Sequence, residues 1–236
     1  ALPIWFPLSK TIAHKSDLKS IRYPFLLPQT WSQGLRHKGF SERSLKVYRS
    51  VYGVFCHFYF MSLQNANQID YFFEEDQQLT IDGRKITLLH TPGHSPGHMC
   101  LLDSRKNLYV ADLVPFTPWC CPIEEGIDNM VESIEKILSF TPSEVNRIVK
   151  SHGDIRVDPH EKWEVSSFSE EKPKYETFLN SIHTTLRRIP QEIKGKEVDI
   201  EYICSLFNPN FAKYSKFMKA VFIPPAISWA IAYALK

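Results

Sequence analysis

Apolar and polar positions alternate most clearly between residues 78 and 110. Gln78–Ile81 and Lys85–Leu89 flank Asp82-Gly83, which predicts a hairpin because Asp-Gly favours the type I′ turn. His98–Leu102 and Leu108–Val110 flank Asp103-Ser104-Arg105-Lys106 and predict a second strand pair. Arg147–Lys150 reads as a buried strand. Lys10–His14 reads as a short strand leading into a helical turn over 16–21.

A helical interval governs other segments. After Ser41-Glu42-Arg43-Ser44, apolar residues recur at Leu45, Tyr48, Val51, Tyr52, Phe55 and Phe58 or Tyr59. Residues 30–64 therefore predict a helical hairpin over one side of the domain, with its large aromatics in the core. A helix is expected over 128–139, and Thr141-Pro142-Ser143-Glu144 has the form of a capping box opening another short one. Beyond residue 161 the pattern turns charged and helical, over 170–188, 200–207 and 213–236, with 166–173 as a linker. We expect an α+β domain over 1–165 and a helical appendage over 166–236.

Composition narrows the class. With 236 residues, 43% hydrophobic and 23% charged, the chain can bury a sizeable core. A net charge of +2 gives no field that would recruit nucleic acid or an anionic membrane. The apolar run 220–235 is short for a bilayer and holds Pro224-Pro225, so no membrane partner is expected. Five cysteines form no C-x-x-C pair, and adjacent Cys120 and Cys121 cannot bridge each other in ordinary geometry. Free thiols in a reducing, cytoplasmic compartment are the expectation.

The chemistry gathers at three strand ends. Thr91-Pro92-Gly93-His94-Ser95-Pro96-Gly97-His98 follows one strand, with Pro-Gly pairs forcing tight turns around the imidazoles. Asp112 follows Leu108-Tyr109-Val110-Ala111, and His152 follows Ile148-Val149-Lys150-Ser151. His94, Asp112 and His152 thus offer nitrogen, oxygen and nitrogen donors, a set that suits zinc and tolerates iron or manganese. A carboxylate can bridge two cations, and such a pair acidifies water and polarises a substrate oxygen. His90 is expected to be structural, Asp154 a turn former and Arg187-Arg188 a solvated face. Phe116-Thr117-Pro118-Trp119 either walls an apolar substrate, through Phe116 and Trp119, or packs as a loop.

Here the chain resembles the metallo-β-lactamase superfamily. Thr91–His98 looks like its third motif, Val110-Ala111-Asp112 its fourth, with alanine where glycine is usual, and Ser151-His152-Gly153 its fifth. Asp112 lies 18 positions after His94, and His152 40 after Asp112, intervals that fit the family. The resemblance covers roughly residues 1–160 and implies an αβ/βα sandwich. It also implies a two-zinc site: His94 on one ion, Asp112 bridging and catalytic, His152 on the other. His98 is expected behind the ligands as a packing and hydrogen-bonding residue. The family's His-x-His-x-Asp-His signature is missing, and His14, His37 and His57 stand alone. We therefore expect a sandwich incomplete at its N-terminus, with that signature upstream of Ala1. The tail resembles, weakly, the small helical or winged-helix tails of some superfamily members.

The implied activity is hydrolysis of a small-molecule ester, thioester or lactone by metal-activated water. RNA phosphodiester cleavage and a non-catalytic, metal-poor scaffold are the alternatives; a strongly salt-dependent affinity for RNA would favour the first. Two imidazoles and one carboxylate are too few donors for two cations. This chain alone is therefore expected to turn over esters and thioesters feebly, and robust steady-state hydrolysis by it would contradict that reading.

Overall fold

Strands form where the alternation places them. In the computed structural model β1 (Ile12–His14) runs parallel to β2 (Tyr71–Phe73). A six-stranded sheet follows, in the order β3 (Gln77–Ile81), β4 (Arg84–His90), β5 (Met99–Asp103), β6 (Asn107–Ala111), β7 (Arg147–Lys150) and β8 (Val165–Ser167). Its neighbours are antiparallel except β6 and β7, which are parallel and joined through helix α1 (Gly126–Leu138). Helices α2 (Phe168–Ile193) and α3 (Ile200–Phe207) complete the main elements. The structure describes residues 11–18, 69–113, 125–150, 165–195, 200–207 and 211–214, with parts of 41–54. Helical backbone occurs at 42–43, 45–47, 49–50 and 53–54, within the expected helical segment.

The hairpin turn has the predicted form. Asp82 and Gly83 carry φ of 50° and 73°, the paired left-handed conformations of a type I′ turn. Burial then explains which faces pack. Along β6, Leu108 and Val110 are buried while Tyr109 between them is exposed. Along β7, Ile148, Val149 and Lys150 are all buried, as in a strand covered on both faces. Helix α1 turns Ile127, Met130, Ile134 and Ile137 inward at three- and four-residue intervals. Each such side chain contributes about 2 kcal/mol of burial.

Helix α2 carries the longest inward stripe: Phe168, Glu171, Tyr175, Phe178, Ile182 and Ile189 are buried on one side. Its apolar members join those of the sheet, α1 and α3 in a single cluster that extends to Phe211 and Tyr214. Lys172 fastens the end of α1, donating to the carbonyls of Leu138 (2.8 Å) and Phe140 (3.3 Å). Among the described residues no helix is long and apolar enough to cross a membrane.

Two expectations need correction. Thr141–Glu144 makes half a capping box, with the Thr141 amide and hydroxyl both donating to Glu144 Oε2 (2.9 and 2.8 Å), but no helix follows. Asn146 already donates its amide to the carbonyl of Lys106 at 2.8 Å, so pairing with the sheet takes the chain after one turn. The stretch 166–173 is not a linker. Ser166 and Ser167 pair with β7, and Ser167 caps α2 through a full capping box with Glu170.

One backbone irregularity prepares the site. The β6–β7 register shifts between Tyr109 and Ala111, and Ala111 adopts φ 46°. An L-residue pays roughly 1–2 kcal/mol for that left-handed conformation, which glycine occupies freely. Ala111→Gly is expected to stabilise the fold by about 1 kcal/mol, part of the relief being offset by greater freedom of the unfolded chain. A urea midpoint that stays put or falls would contradict a strained Ala111.

Candidate metal centre

Two strand ends bring the first functional groups together. β4 ends at His90 and the loop 91–98 returns the chain to β5, so His94 stands at the loop's tip. β6 ends at Ala111, whose left-handed turn throws Asp112 off the sheet beside that loop. His94 Nε2 and Asp112 Oδ2 lie 3.9 Å apart, each side chain between a third and a half exposed. Two donors about 2.0–2.2 Å from one tetrahedral ion stand roughly 3.4 Å apart. Closing the difference takes a small rotation of either side chain. The donors present therefore fit a divalent cation.

The ring of His98 sits behind both groups. It is 7% exposed, and its Nε2 receives the Asp112 amide at 3.3 Å. An N–H can only donate, so Nε2 carries the lone pair and Nδ1 the proton. Nδ1 in turn meets the Thr91 carbonyl at 2.9 Å and the Thr91 hydroxyl at 3.0 Å. Burial, reinforced by the neighbouring His94 ring, pushes His98 down to about 4, which keeps this tautomer neutral. Thr91 is fully buried, and its hydroxyl also donates to Cys100 Sγ at 3.4 Å. Burial raises that thiol to about 12, so Cys100 is an inert core group.

The loop is held from two sides. Asp17, some 80 residues upstream, accepts the Gly97 amide at Oδ1 (2.8 Å) and the Ser95 hydroxyl at Oδ2 (2.9 Å). A Cβ on Gly97 would lie 2.6 Å from the Asp17 carboxyl carbon, so the clamp requires glycine. On the other side Gly93, at φ 138°, lies against α1, where a Cβ would come within 2.8 Å of the Met130 Cα. Ser133 of α1 donates to the Pro92 carbonyl at 2.7 Å.

His90 and His14 form a second layer beneath the loop. Their rings stack at 3.8 Å and 13°. His90 Nε2 donates to the Pro96 carbonyl at 2.9 Å, and His14 Nε2 to the Glu74 carbonyl at 2.9 Å. Burial lowers the His90 pKa. Lys136 of α1 bridges the His90 carbonyl (3.0 Å) and Asp76 (2.7 Å), and Asp76 accepts the His90 amide at 2.8 Å.

The structure thus brings together His94, Asp112 and His98 of the residues singled out from sequence. His152, Phe116 and Trp119 lie outside the described residues, and among the described residues no three His, Cys, Asp or Glu side chains gather as a metal-holding group. Sequence reasoning missed Asp17, which no local signal could connect to a loop so distant in the chain. It also left His14 as a lone histidine.

Known proteins share this framework. The structure superposes on a metallo-beta-lactamase family protein from Thermus thermophilus with a TM-score of 0.59 at 13% identity, covering 95% of this chain and 65% of that one. The chain has the metallo-β-lactamase fold. Over 84 residues it is 29% identical to the beta-lactamase-like protein 2 homolog of Drosophila melanogaster, a match over 36% of this chain and 27% of that protein. A metallo-beta-lactamase superfamily protein from Sulfolobus tokodaii aligns over 97% of this chain and 73% of its own, with a TM-score of 0.45 and 13% identity. No family model matches the chain. It therefore spans about a quarter of the curated relative and less than two thirds of the Thermus protein. The Thermus likeness shows the fold, and the Drosophila match agrees with the resemblance that the motifs carry.

The His98 ring makes stability depend on pH. Its folded pKa of about 4 lies below the unfolded value of 6.5, so the unfolded chain takes up the proton first. Its contribution is fully present above pH 6.5 and is lost as pH falls toward 4, about 3 kcal/mol in all. In metal-free chain, urea midpoints measured between pH 8 and 4 should fall less steeply for His98→Gln than for wild type. Equal slopes would contradict a buried neutral His98.

Proposed function

We propose that this site belongs to a metal-dependent hydrolase acting on a small-molecule ester, thioester or lactone. The observation that carries the reading is the approach of His94 Nε2 to Asp112 Oδ2, 3.9 Å apart on two independently fastened strand ends. Zinc suits the mixed nitrogen and oxygen donors best, and iron or manganese would also be accepted. His152 is proposed as the third donor, from the segment that follows β7. A divalent cation bound here would acidify a water and polarise the substrate's carbonyl oxygen.

The chain's own residues do the rest. His94 offers the Nε2 lone pair, and the two glycine contacts of its loop fix where that atom stands. Asp112 offers two carboxylate oxygens, so one can orient the attacking water while the other serves as a ligand. His98 sets the backbone from which that carboxylate projects, and its depressed pKa leaves Nε2 able to accept the Asp112 amide at neutral pH. Phe116 and Trp119 are proposed as the substrate wall, since they follow Asp112 closely in the chain.

A panel of activated esters, thioesters and lactones tests this on the chain loaded with zinc. Hydrolysis is expected to be slow but measurable, and to vanish on chelation. Asp112→Asn should lower it about 100-fold, the scale on which single preorganised electrostatic groups act. A rate indifferent to chelator or to Asp112→Asn would overturn the proposal.

A further inference from the structure

Helix α2 reaches the site's framework from behind. Tyr175 is fully buried, yet its hydroxyl donates to the carbonyl of Leu113 at 2.6 Å. Leu113 is itself 1% exposed and follows Asp112 directly. One turn earlier on the same helix, buried Glu171 faces Lys150 at the end of β7, 3.5 Å away. The first turns of α2 thus touch the chain where β6 and β7 both end.

A phenol in this apolar cluster is costly unless its hydroxyl is paired, and a phenylalanine ring would fill the same space. The bond reaches a backbone turn that needs restraint. Ala111 is in the left-handed region, the β6–β7 register has just slipped, and Asp112 projects from the next residue. Three hydrogen bonds fasten that turn: Leu113 N–H to the Val110 carbonyl at 2.9 Å, the Asp112 amide to His98 Nε2, and the Tyr175 hydroxyl to the Leu113 carbonyl. The first two hold its amides and the third holds its carbonyl. Without the third, the peptide after Leu113 could rotate, loosening from its C-terminal side the turn that carries the Asp112 carboxylate.

We infer that Tyr175 is a positioning residue for Asp112, acting through the Leu113 carbonyl to aim the carboxylate at a cation. The inference rests on the reading of Asp112 as a metal ligand given above. It assigns α2 a part in metal binding besides its part in the core.

Cobalt(II) and zinc titrations of the purified chain test it, with affinity taken from competition against a chromophoric chelator. Tyr175→Phe keeps the ring that fills the core, so it retains the fold while losing the bond. It should weaken metal affinity about tenfold, the lower end of what partners behind a ligand contribute, and alter the visible cobalt(II) spectrum. Ile182→Val, a truncation on the same buried face, should lower the urea midpoint and leave affinity and spectrum unchanged. Amide exchange at Asp112 and Leu113 should quicken in Tyr175→Phe and not in Ile182→Val. The inference falls if Tyr175→Phe binds cobalt and zinc as wild type does, or if Ile182→Val weakens binding equally. If wild type binds neither metal, the reading of the site falls, and the inference with it.

Discussion

One imidazole ties the two halves of this site together. His98 donates through Nδ1 to the Thr91 carbonyl and accepts the Asp112 amide at Nε2, so a single ring joins the loop carrying His94 to the turn carrying Asp112. Charging that ring would turn its acceptor into a donor and break the link. Its burial, at 7% exposure, therefore serves geometry. Desolvation disfavours the cation and holds the one tautomer in which both bonds can form.

The surrounding contacts make that link effective. A loop with two Pro-Gly pairs is stiff in backbone but free to pivot as a body. Asp17 stops the pivot from one side by accepting from Ser95 and Gly97, and α1 stops it from the other by close approach to Gly93. Both glycines are required by what lies against them, a carboxyl group in one case and a helix backbone in the other. The stack of His14 on His90 fills the layer below with two rings whose donors are already spent on carbonyls. His94 and Asp112 keep substantial exposure and stand 3.9 Å apart.

Much of this was legible in the chain. Asp82-Gly83 announces its hairpin because the dipeptide and the turn's dihedral angles are matched locally. The apolar stripe of α1 shows at helical intervals because it packs on one surface. Alanine at 111 read only as a departure from the glycine usual in the resembled motif, and the structure shows why glycine would suit the position in a positive φ. Non-local competition hid the rest. The Thr141–Glu144 signal is a true local preference that loses to sheet pairing by Asn146. Residues 166–173 read as a linker because three serines and a proline look like a break, whereas Ser167 serves as a helix cap. Glu171 reads as one more surface acid, since nothing in its neighbours announces Lys150. Asp17 could not be found from a window of any ordinary length.

The central claim is that His94 and Asp112 bind one cation, held in place through His98. Crystals of the zinc-loaded chain, measured at the zinc absorption edge, test it most directly. The account predicts an anomalous peak about 2.0–2.2 Å from both His94 Nε2 and an Asp112 carboxylate oxygen. A peak bonded to neither side chain, or none between them at saturating zinc, would contradict it.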